Sequence, residues 1–284
     1  MDEIENRAWG ELAPTRDITD KEFHRIRDFI KINYGINLSD EKKSLIFSRL
    51  CPVLKAARID DFTQYFDFLA ADRTGEAVAT FINKITTNHT YFMREPDHFD
   101  LLRDEILPFI EKRHGAEKDL RIWCAGCSSG EEAYTIQMVI KDYFRNKPGW
   151  NTEILATDIS TAVLTKAVKG VYSAEALGPL PAKWKESYLV PRGKSHMEIC
   201  GAVKRDVTFR KFNFMDKLPF IKPFQAIFCR NVMIYFDSET RARLVAKFYD
   251  CVEPGGYLLV GHSESLNGDA SGFKHVAPAA YRKG

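Results

Sequence analysis

The sequence has no long hydrophobic run. None of its apolar segments approaches the roughly 18 residues of a membrane-spanning helix, and Met1 to Asn6 have neither the basic start nor the apolar stretch of a signal peptide. The net charge is only +2 over 284 residues, which excludes a nucleic-acid-binding protein that acts through bulk positive charge. We therefore expect a cytoplasmic protein with no membrane insertion and no nucleic-acid partner.

Cysteine shows little pattern. The six cysteines are scattered along the chain, apart from one Cys-x-x-Cys pair at Cys124 and Cys127. A zinc site would need a second pair or histidines at ligand spacing, and the sequence shows neither, so no metal is expected. Cys124 falls within a strand pattern, which favours buried thiols in a reducing compartment over a redox pair.

The most informative stretch runs from Leu120 to Glu132. An apolar run up to Ala125 ends in small residues, including Gly126 and Gly130, and a helical pattern begins at once. This predicts a strand, a glycine turn and a helix N-terminus. Without a Cβ in the way, backbone N–H groups can approach a ligand, so a nucleotide-type cofactor is the first hypothesis. The alternative is that the glycines serve only to allow positive φ.

Two acidic residues at the helix start narrow the choice of cofactor. Glu131 and Glu132 would repel the pyrophosphate of a dinucleotide at a helix N-terminus and would attract an ammonium group. The turn therefore favours S-adenosylmethionine over a nicotinamide dinucleotide. The alternative is that the acidic side chains only stabilise the helix start, by about 0.3 to 1 kcal/mol.

The N-terminal part predicts four amphipathic helices. The first begins at a capping box formed by Thr19 and Glu22. Apolar residues at helical spacing place the four helices at 19–34, 39–57, 62–69 and 78–85. Together they predict an all-α domain at 19–86, after a flexible tail at 1–18.

The remainder alternates between strand and helix patterns. A linker at 87–95 and a helix over about 96–114, which Pro108 should bend, come first. The predicted strands are 120–125, 153–157, 207–212, 225–229, 257–261 and 279–282. Helices are predicted between them, among others at 130–144, 161–168 and 238–252. The alternation indicates a mainly parallel sheet with helices on both faces, in a domain at 96–284.

Prolines and glycines interrupt this alternation at 171–206. Short runs at 187–190 and 196–200 indicate a small antiparallel β insertion with a positive bias. The insertion is either a loop-rich surface or a module that docks a partner, and the residues alone leave both open.

Polar residues follow two of the predicted strands. Asp158 ends the second, at the edge where α/β sheets bind ligands, and its carboxylate can accept hydrogen bonds from both ribose hydroxyls. The alternative is a helix N-cap, a role that Ser160 could supply instead. After the fourth strand, Asn231 and Tyr235 could hold the methionine part and the transferring methyl of S-adenosylmethionine. The alternative is that Tyr235 is a packed aromatic residue with a solvated hydroxyl.

The second helix carries a basic face. It could dock an acidic partner helix, although composition alone favours an ordinary solvated surface. The residues of this face are Lys42, Lys43, Arg49, Lys55 and Arg58.

Taken in order, five motifs resemble the bacterial chemotaxis receptor methyltransferases (CheR type). They are Thr-Asn-x-Thr-x-Phe-x-Arg-Glu at 87–95, Trp-x-Ala-x-x-Ser-x-Gly-Glu-Glu-x-Tyr at 123–134, Ala-Thr-Asp at 156–158, Phe-Cys-Arg-Asn-Val-Met-Ile-Tyr-Phe at 228–236 and Gly-His-Ser-Glu at 261–264. The run from Cys229 to Phe236 is the most specific. The chain departs from the family at Ala133, where proline is common, and around 190–202, where the match is weakest.

The resemblance implies a fold and an activity. The fold would be α/β: a Rossmann-like S-adenosylmethionine-dependent methyltransferase domain with a small antiparallel β insertion and an N-terminal all-α domain. The activity would be methyl transfer from S-adenosylmethionine to glutamate side chains on the cytoplasmic helices of membrane chemoreceptors, giving glutamyl methyl esters and S-adenosylhomocysteine. A methyltransferase with another substrate, and a non-catalytic module that senses S-adenosylmethionine, remain the alternatives.

The resemblance also assigns residues. It implies that Tyr235 lies by the methyl group, and we expect Tyr235 to orient that methyl and Arg94 to fix a carboxylate, either of the cofactor or of the substrate. The basic face of the helical domain would bind the receptor, and the β insertion could tether a receptor C-terminal peptide by strand addition. Cofactor contacts would come from Asn88, Thr90, Arg94, Glu132, Asp158, Asn213, Phe214, Arg230 and Asn231.

Overall fold

A computed structural model describes residues 17–85, 90–266 and 271–284. The chain divides after Asn88 into two compact units, and each is described by itself. Asn88 and residues 1–16 of the predicted tail lie outside the described residues. Within the described ranges, no helix combines the length and the apolar character needed to cross a membrane.

The first unit is all-α, as predicted. The capping box is present: the Thr19 hydroxyl accepts a hydrogen bond from the Glu22 N–H at 3.3 Å, and the Glu22 carboxylate accepts one from the Thr19 N–H at 2.9 Å. A short 3₁₀ turn at Asp40–Lys42 leads into the second helix. The helices are α1 (Asp20–Tyr34), α2 (Lys43–Ala57), α3 (Phe62–Ala71) and α4 (Glu76–Ile85).

The helices of the first unit bury one apolar face each. Their buried residues recur at three- and four-residue spacing, which is the spacing from which the helices were predicted. Tyr65 is almost fully buried next to Phe81, with 6.4 Å between the ring centroids. The buried positions include Phe23, Ile26 and Ile30 of α1, Ile46, Leu50 and Leu54 of α2, Phe62, Tyr65 and Leu69 of α3, and Val78, Phe81 and Ile82 of α4.

The second unit contains a seven-stranded sheet. Its spatial order is β6-β2-β1-β7-β8-β10-β9; the first five strands are mutually parallel, and β10 is antiparallel to both of its neighbours. The predicted fold class is therefore confirmed. The strands are β1 (Ile122–Ala125), β2 (Ile154–Asp158), β6 (Val207–Lys211), β7 (Phe224–Cys229), β8 (Val252–Val260), β9 (Phe273–Ala277) and β10 (Ala280–Lys283).

Seven helices accompany this sheet in the described part of the second unit. A π-helical stretch, Leu102–Ile106, separates the first two, directly before the predicted bend at Pro108. Pro108 has no N–H and cannot donate to the carbonyl four residues earlier. The wider π-helical turn before it therefore costs no additional backbone hydrogen bond. The helices are α5 (Asp97–Leu101), α6 (Leu107–His114), α7 (Glu131–Tyr143), α8 (Thr161–Lys169), α9 (Ala182–Tyr188), α10 (Gly201–Lys204) and α11 (Ser238–Cys251).

The β insertion is an antiparallel sheet of three strands in the order β3-β5-β4. Its strands are β3 (Val171–Ser173), β4 (Leu189–Arg192) and β5 (His196–Ile199). The predicted insertion is thus confirmed, but Ser187 and Tyr188, which were expected in a strand, end α9 instead. Tyr188 is buried, so its apolar signal came from helix packing.

Two central strands carry the core of the second unit. Every residue of β1 and β7 is buried. Trp123 of β1 is fully buried, and its indole N–H donates to the Thr157 hydroxyl of β2 at 2.9 Å. This contact satisfies the one polar group of a large buried ring and links β1 to β2 beside the site.

Candidate active site

The carboxyl ends of three neighbouring parallel strands form the site. In the sheet, β1 lies between β2 and β7. The chain leaves β1 at Gly126 and β7 at Arg230, and Asp158 is the last residue of β2, so these three residues reach the same edge. The order of strands reverses here, because β2 and β6 lie on one side of β1, and β7 and β8 on the other. Open α/β sheets bind ligands at such a switch point.

The glycine turn after β1 has no room for a side chain. Gly126 has φ of 91°, and a Cβ on it would lie 2.4 Å from Cγ2 of Val232, in the segment after β7. The N–H groups of Gly126 and Cys127 both donate to the Thr157 carbonyl at 2.8 Å. Here glycine is needed both for positive φ and for close approach between two strand exits.

The second glycine begins α7. Gly130 has φ of 98°, and a Cβ on it would lie 2.9 Å from Cβ of Ala167. Before it, the carbonyl of Ser129 accepts a hydrogen bond from the Tyr172 hydroxyl at 2.6 Å. Contacts from α8 and β3 therefore hold the turn in one conformation.

Asp158 lies against this turn. Its carboxylate accepts hydrogen bonds from the Ser128 N–H and the Ser160 N–H, both at 2.9 Å. The N-cap of α8 is Ser160, whose hydroxyl accepts from the Val163 N–H at 3.4 Å, so Asp158 is not needed as the cap. Burial raises the pKa of Asp158 despite these backbone donors. With the Ile159 N–H, three backbone donors occupy part of the roughly four lone-pair sites of the carboxylate, which leaves room for a further donor such as a ribose hydroxyl.

The two acidic residues of α7 are engaged with protein groups. Glu132 has an oxygen 3.1 Å from Arg230 and accepts a hydrogen bond from the Cys124 thiol at 3.3 Å. Glu131 accepts from the Ser129 hydroxyl at 2.8 Å. Burial raises the pKa of both carboxyl groups.

Arg230 is a buried cation between two acids. Its side chain has 0% exposed surface and lies 3.1 Å from Glu95 and 3.1 Å from Glu132. It also donates to the Arg94 carbonyl and lies over the Phe99 ring. Arg230 was predicted to contact the cofactor directly. With no exposed surface, it acts on a ligand in this conformation only through the groups that it holds.

Glu95 is a site residue to which sequence reasoning gave no role. Although burial opposes its ionisation, the Arg230 guanidinium and the Asn231 amide hold the pKa of Glu95 below its usual value. The chain around it is strained, with φ of 62° at Met93 and 54° at Glu95. Such conformations persist only where surrounding contacts enforce them, and they cluster at functional sites.

The structure brings two of the predicted site residues, Arg94 and Asn231, into contact. The Arg94 guanidinium donates to the Asn231 side-chain oxygen at 2.8 Å, and the Asn231 amide donates to Glu95 at 3.2 Å. Asn231 has φ of 59°, a conformation that asparagine tolerates better than most residues. A Cβ on Gly261 would lie 2.8 Å from the Asn231 side chain, which explains a glycine there.

Glu264, in the Gly-His-Ser-Glu motif, holds the segment after β7. It accepts hydrogen bonds from the N–H groups of Gly261, Asn231 and Ile234 at 2.6, 2.8 and 3.0 Å. Burial raises the pKa of its carboxyl group. Ile234 belongs to the 3₁₀ turn Met233–Tyr235, so Glu264 fixes the turn that carries half-buried Tyr235. The sequence shows the motif, but it does not show that Glu264 binds the N–H groups of this turn.

The remaining predicted cofactor residues in the described part of the chain follow β6 or begin the second unit. Asn213 and Phe214 follow β6, next to β2, and the Asn213 side chain accepts from the Met215 N–H at 3.0 Å. Thr90 is half-buried at the start of the second unit. Asn88 lies outside the described residues.

The cysteines at the turn are free thiols. Cys124 and Cys127 are buried and form no disulfide, in agreement with the expected buried thiols. Burial raises the pKa of both well above the usual value. Their side chains are 0% and 1% exposed, which favours a packing role over a reactive one.

The five basic residues predicted to bind the receptor differ in their surroundings. Lys43 pairs with Asp20 at 2.6 Å. Arg49 donates to the carbonyls of Lys84 and Ile85 at the C-terminus of α4, at 3.2 and 3.1 Å. Lys42, Lys55 and Arg58 are exposed.

The turn fits a nucleoside with a positively charged tail better than a dinucleotide. Four N–H groups of the turn, those of Gly126, Cys127, Ser128 and Gly130, already donate to protein oxygens and are not available for a pyrophosphate. Three carboxylates, those of Asp158, Glu131 and Glu132, lie around it instead. An acid for ribose hydroxyls and acids for an ammonium group suit S-adenosylmethionine.

Two protein families match consecutive parts of the chain. The family described as CheR methyltransferase, all-alpha domain, matches residues 21–86, and the one described as CheR methyltransferase, SAM binding domain, matches residues 88–281. The second match covers all predicted cofactor residues, Asn88 to Asn231.

Curated relatives match over nearly their whole length. The chain is 43% identical to the chemotaxis protein methyltransferase of Borreliella burgdorferi, over 94% of this chain and 95% of that protein. It is 36% identical to the chemotaxis protein methyltransferase of Salmonella typhimurium, over 88% and 85%, and 34% identical to chemotaxis protein methyltransferase 2 of Vibrio cholerae, over 91% and 90%. The predicted resemblance is confirmed, and the chain belongs to the CheR methyltransferase family.

Proposed function

We propose that this chain transfers the methyl group of S-adenosylmethionine to glutamate side chains on the cytoplasmic helices of chemoreceptors. The products would be glutamyl methyl esters and S-adenosylhomocysteine. The observation that carries the proposal is that Asp158 and Arg94 lie at one edge of the sheet. A carboxylate suited to a ribose and a guanidinium suited to a carboxylate are thus available at the same switch point.

In this proposal the cofactor lies across the ends of β1, β2 and β7. Asp158 accepts hydrogen bonds from the ribose hydroxyls, and Glu132 faces the positively charged amino acid tail. Thr90, Asn213 and Phe214 line the remainder. Arg230 and Glu95 keep Glu132 and Asn231 in place, because each contact is short and largely buried.

The chemistry requires little of the protein beyond positioning. The bound cofactor supplies a methyl group on a sulfonium, which an ionised carboxylate can attack. A substrate glutamate is already ionised at neutral pH, so no general base is needed. Arg94 holds the carboxylate in line and Tyr235 orients the methyl group. Alignment of this kind can contribute about 7 to 11 kcal/mol to the acceleration.

The helical unit would contact the receptor. Lys42, Lys55 and Arg58 are exposed and can meet acidic side chains of a receptor helix directly. Arg49 already bonds carbonyls of α4, so its substitution should act partly through stability.

The β insertion would tether a receptor C-terminal peptide. Strand β4 is at the edge of its sheet, with β5 on one side only, and Val190 on it is 51% exposed. An added strand could pair with this edge, although Pro191 lacks an N–H and limits the number of backbone bonds.

A labelled-methyl assay tests the activity. The full chain is incubated with S-adenosylmethionine labelled in the methyl group and a cytoplasmic chemoreceptor fragment, and the label is then released in mild base. We expect base-labile transfer to the fragment, because a glutamyl ester hydrolyses and an N-methyl product survives. Arg94→Gln and Tyr235→Phe should lower kcat.

Arg145→Gln is the matched control for Arg94→Gln. Arg145 follows the C-terminus of α7 and pairs with Asp142 on the surface, with 44% of its side chain exposed. The 13 residues of α7 place it about 20 Å from the glycine turn. Its substitution should leave kcat unchanged. Cofactor binding without transfer would identify a sensor, and base-stable label would identify another substrate, so either result would overturn the proposal.

Charge reversal tests the docking surface. Lys42→Glu and Lys55→Glu should each raise the KM for the receptor fragment about two- to fivefold at low salt, since one exposed ion pair contributes up to about 1 kcal/mol. The affinity for the cofactor should not change. Lys21→Glu reverses an exposed charge on α1 outside the predicted face and serves as the control. Equal effects of all three would show that only net charge matters.

A further inference from the structure

A cluster of three potential metal ligands lies beside the site. Glu95, His98 and His262 each offer one ligand atom, and these atoms all lie within 4.8 Å of one another. Glu95 precedes Pro96, the N-cap of α5; His98 is in the first turn of α5, and His262 follows β8. The proposed methyl transfer gives neither histidine a task.

His98 presents an unpartnered nitrogen to the cluster. Its side chain is 1% exposed, and Nε2 lies 3.1 Å from the Pro278 carbonyl. Because a carbonyl only accepts, Nε2 carries the proton in the neutral ring and Nδ1 has a free lone pair. Nδ1 is buried without a hydrogen-bond partner among the described residues, and Glu95 Oε2 lies 3.6 Å from it.

A buried nitrogen of this kind needs an explanation. An unsatisfied buried polar atom destabilises the folded state, so a lone pair left free beside a carboxylate is unfavourable unless it binds something. Donation of the other ring N–H to a backbone carbonyl is the arrangement that fixes the tautomer of a metal-binding histidine. His98 has this arrangement already.

His262 has the complementary arrangement. Its Nε2 lies 2.9 Å from Asp97 Oδ2, and a carboxylate on one ring nitrogen orients a histidine for metal binding through the other. The His98 and His262 rings are nearly perpendicular, with centroids 5.0 Å apart. The His262 side chain is 43% exposed, so an ion could enter from solvent.

The local charge permits a cation. Glu95 Oε2 accepts two hydrogen bonds from Arg230, at 3.2 and 3.1 Å, and Oε1 accepts one each from the Asn231 amide and the His262 N–H, at 3.2 and 3.3 Å. A metal ion on Oε2 therefore replaces one of the two Arg230 bonds, and the guanidinium keeps Glu132 as its second acidic partner. Asp97 adds another negative charge beside His262.

We propose that Glu95, His98 and His262 bind one divalent transition-metal ion, with Zn²⁺ as the preferred occupant. Two imidazole nitrogens and one carboxylate oxygen form a three-ligand set that Zn²⁺ takes in proteins, with water completing the tetrahedron. The site is separate from the cofactor groups of β1 and β2 and shares Glu95 with the proposed active site.

Metal binding to the full chain tests the site. The protein is treated with chelator and equilibrated by dialysis with ZnCl₂, and bound metal is counted by mass spectrometry. We expect one Zn²⁺ per chain. His262→Ala removes an exposed ligand, so the variant should fold, and it should lower the affinity at least about 100-fold; Asp97→Asn should lower it roughly 10-fold.

The matched control is His196→Ala, which removes an exposed histidine of β5 outside the cluster and should leave the affinity unchanged. Co²⁺ in place of Zn²⁺ reports the ligand type. We expect the visible absorption of four-coordinate cobalt without a thiolate charge-transfer band. Absence of bound metal, an unchanged affinity in His262→Ala, or a thiolate band from cysteine would each overturn the proposal.

Discussion

Replacement of Arg230 by methionine is the sharpest test of the buried charges at the site. In the native chain the guanidinium has 0% exposed surface and lies 3.1 Å from both Glu95 and Glu132. The carboxylates are themselves only 13% and 14% exposed. Arg230→Met therefore leaves two nearly buried acids without their cation, while the methionine fills most of the apolar volume.

The expected loss is large. Removal of one partner from a buried ion pair costs about 3 to 5 kcal/mol, because the remaining charge is desolvated and unpaired. Glu132→Gln added to Arg230→Met should restore part of this, since a neutral amide is cheaper to bury than an unpaired carboxylate. The double variant should therefore be more stable than the sum of the two single effects predicts.

Urea unfolding followed by tryptophan fluorescence measures these changes. Three of the four tryptophans, Trp123, Trp150 and Trp184, belong to the second unit, so in a Trp9→Phe background the signal reports the unit that contains the pair. Arg145→Met is the control, because it removes a surface cation from an ion pair at 2.6 Å and should cost no more than about 1 kcal/mol. If Arg230→Met costs as little as this control, the buried pair does not hold the site together.

Three further predictions concern single positions. Gly126→Ala should lower the free energy of unfolding by more than Gly193→Ala does. Both glycines have positive φ, which costs an alanine about 1 to 2 kcal/mol, but only at Gly126 would the Cβ meet another atom, 2.4 Å away. Urea unfolding of both variants measures the difference. Cofactor affinity measured by calorimetry should fall as the pH drops through the raised pKa of Asp158, since protonation removes the charged acceptor, and this dependence should be weaker in Asp158→Asn. Arg49→Ala should destabilise the first unit by about 0.5 to 1.5 kcal/mol per lost bond to the α4 carbonyls, measured by thermal unfolding of the full chain followed by circular dichroism.

Each of these has a contrary outcome. Equal losses in the two alanine variants would mean that the turn relaxes around a Cβ. An Asp158→Asn variant with the native affinity at neutral pH, or with the native pH dependence, would remove Asp158 from the cofactor site. An Arg49→Ala variant as stable as the native chain, yet weaker in receptor binding, would assign Arg49 to docking alone.

Much of the fold could be predicted because its signals are local. The capping box at Thr19, the helical spacing of the first unit and the apolar run before Gly126 each lie within one turn or one strand. Strand β9 was missed because only Phe273 of its five residues is buried, so this edge strand has almost no apolar pattern. The end of α9 was read as a strand because a buried aromatic at Tyr188 does not distinguish the two periods in a short run.

The sequence by itself determined the strand, glycine turn and helix at 120–132, the acid at Asp158 and the order of the motifs. Only the tertiary structure decided that Arg230 is enclosed by Glu95 and Glu132, and that His98 meets His262. These partners are far apart along the chain, by 135 residues for Arg230 and Glu95. Local sequence periodicity cannot reveal such contacts, because parallel strands are joined through long crossovers and their ends come together only in the folded chain. Once the charged groups are buried, each of them needs its partner, since an unpaired buried charge is strongly destabilising.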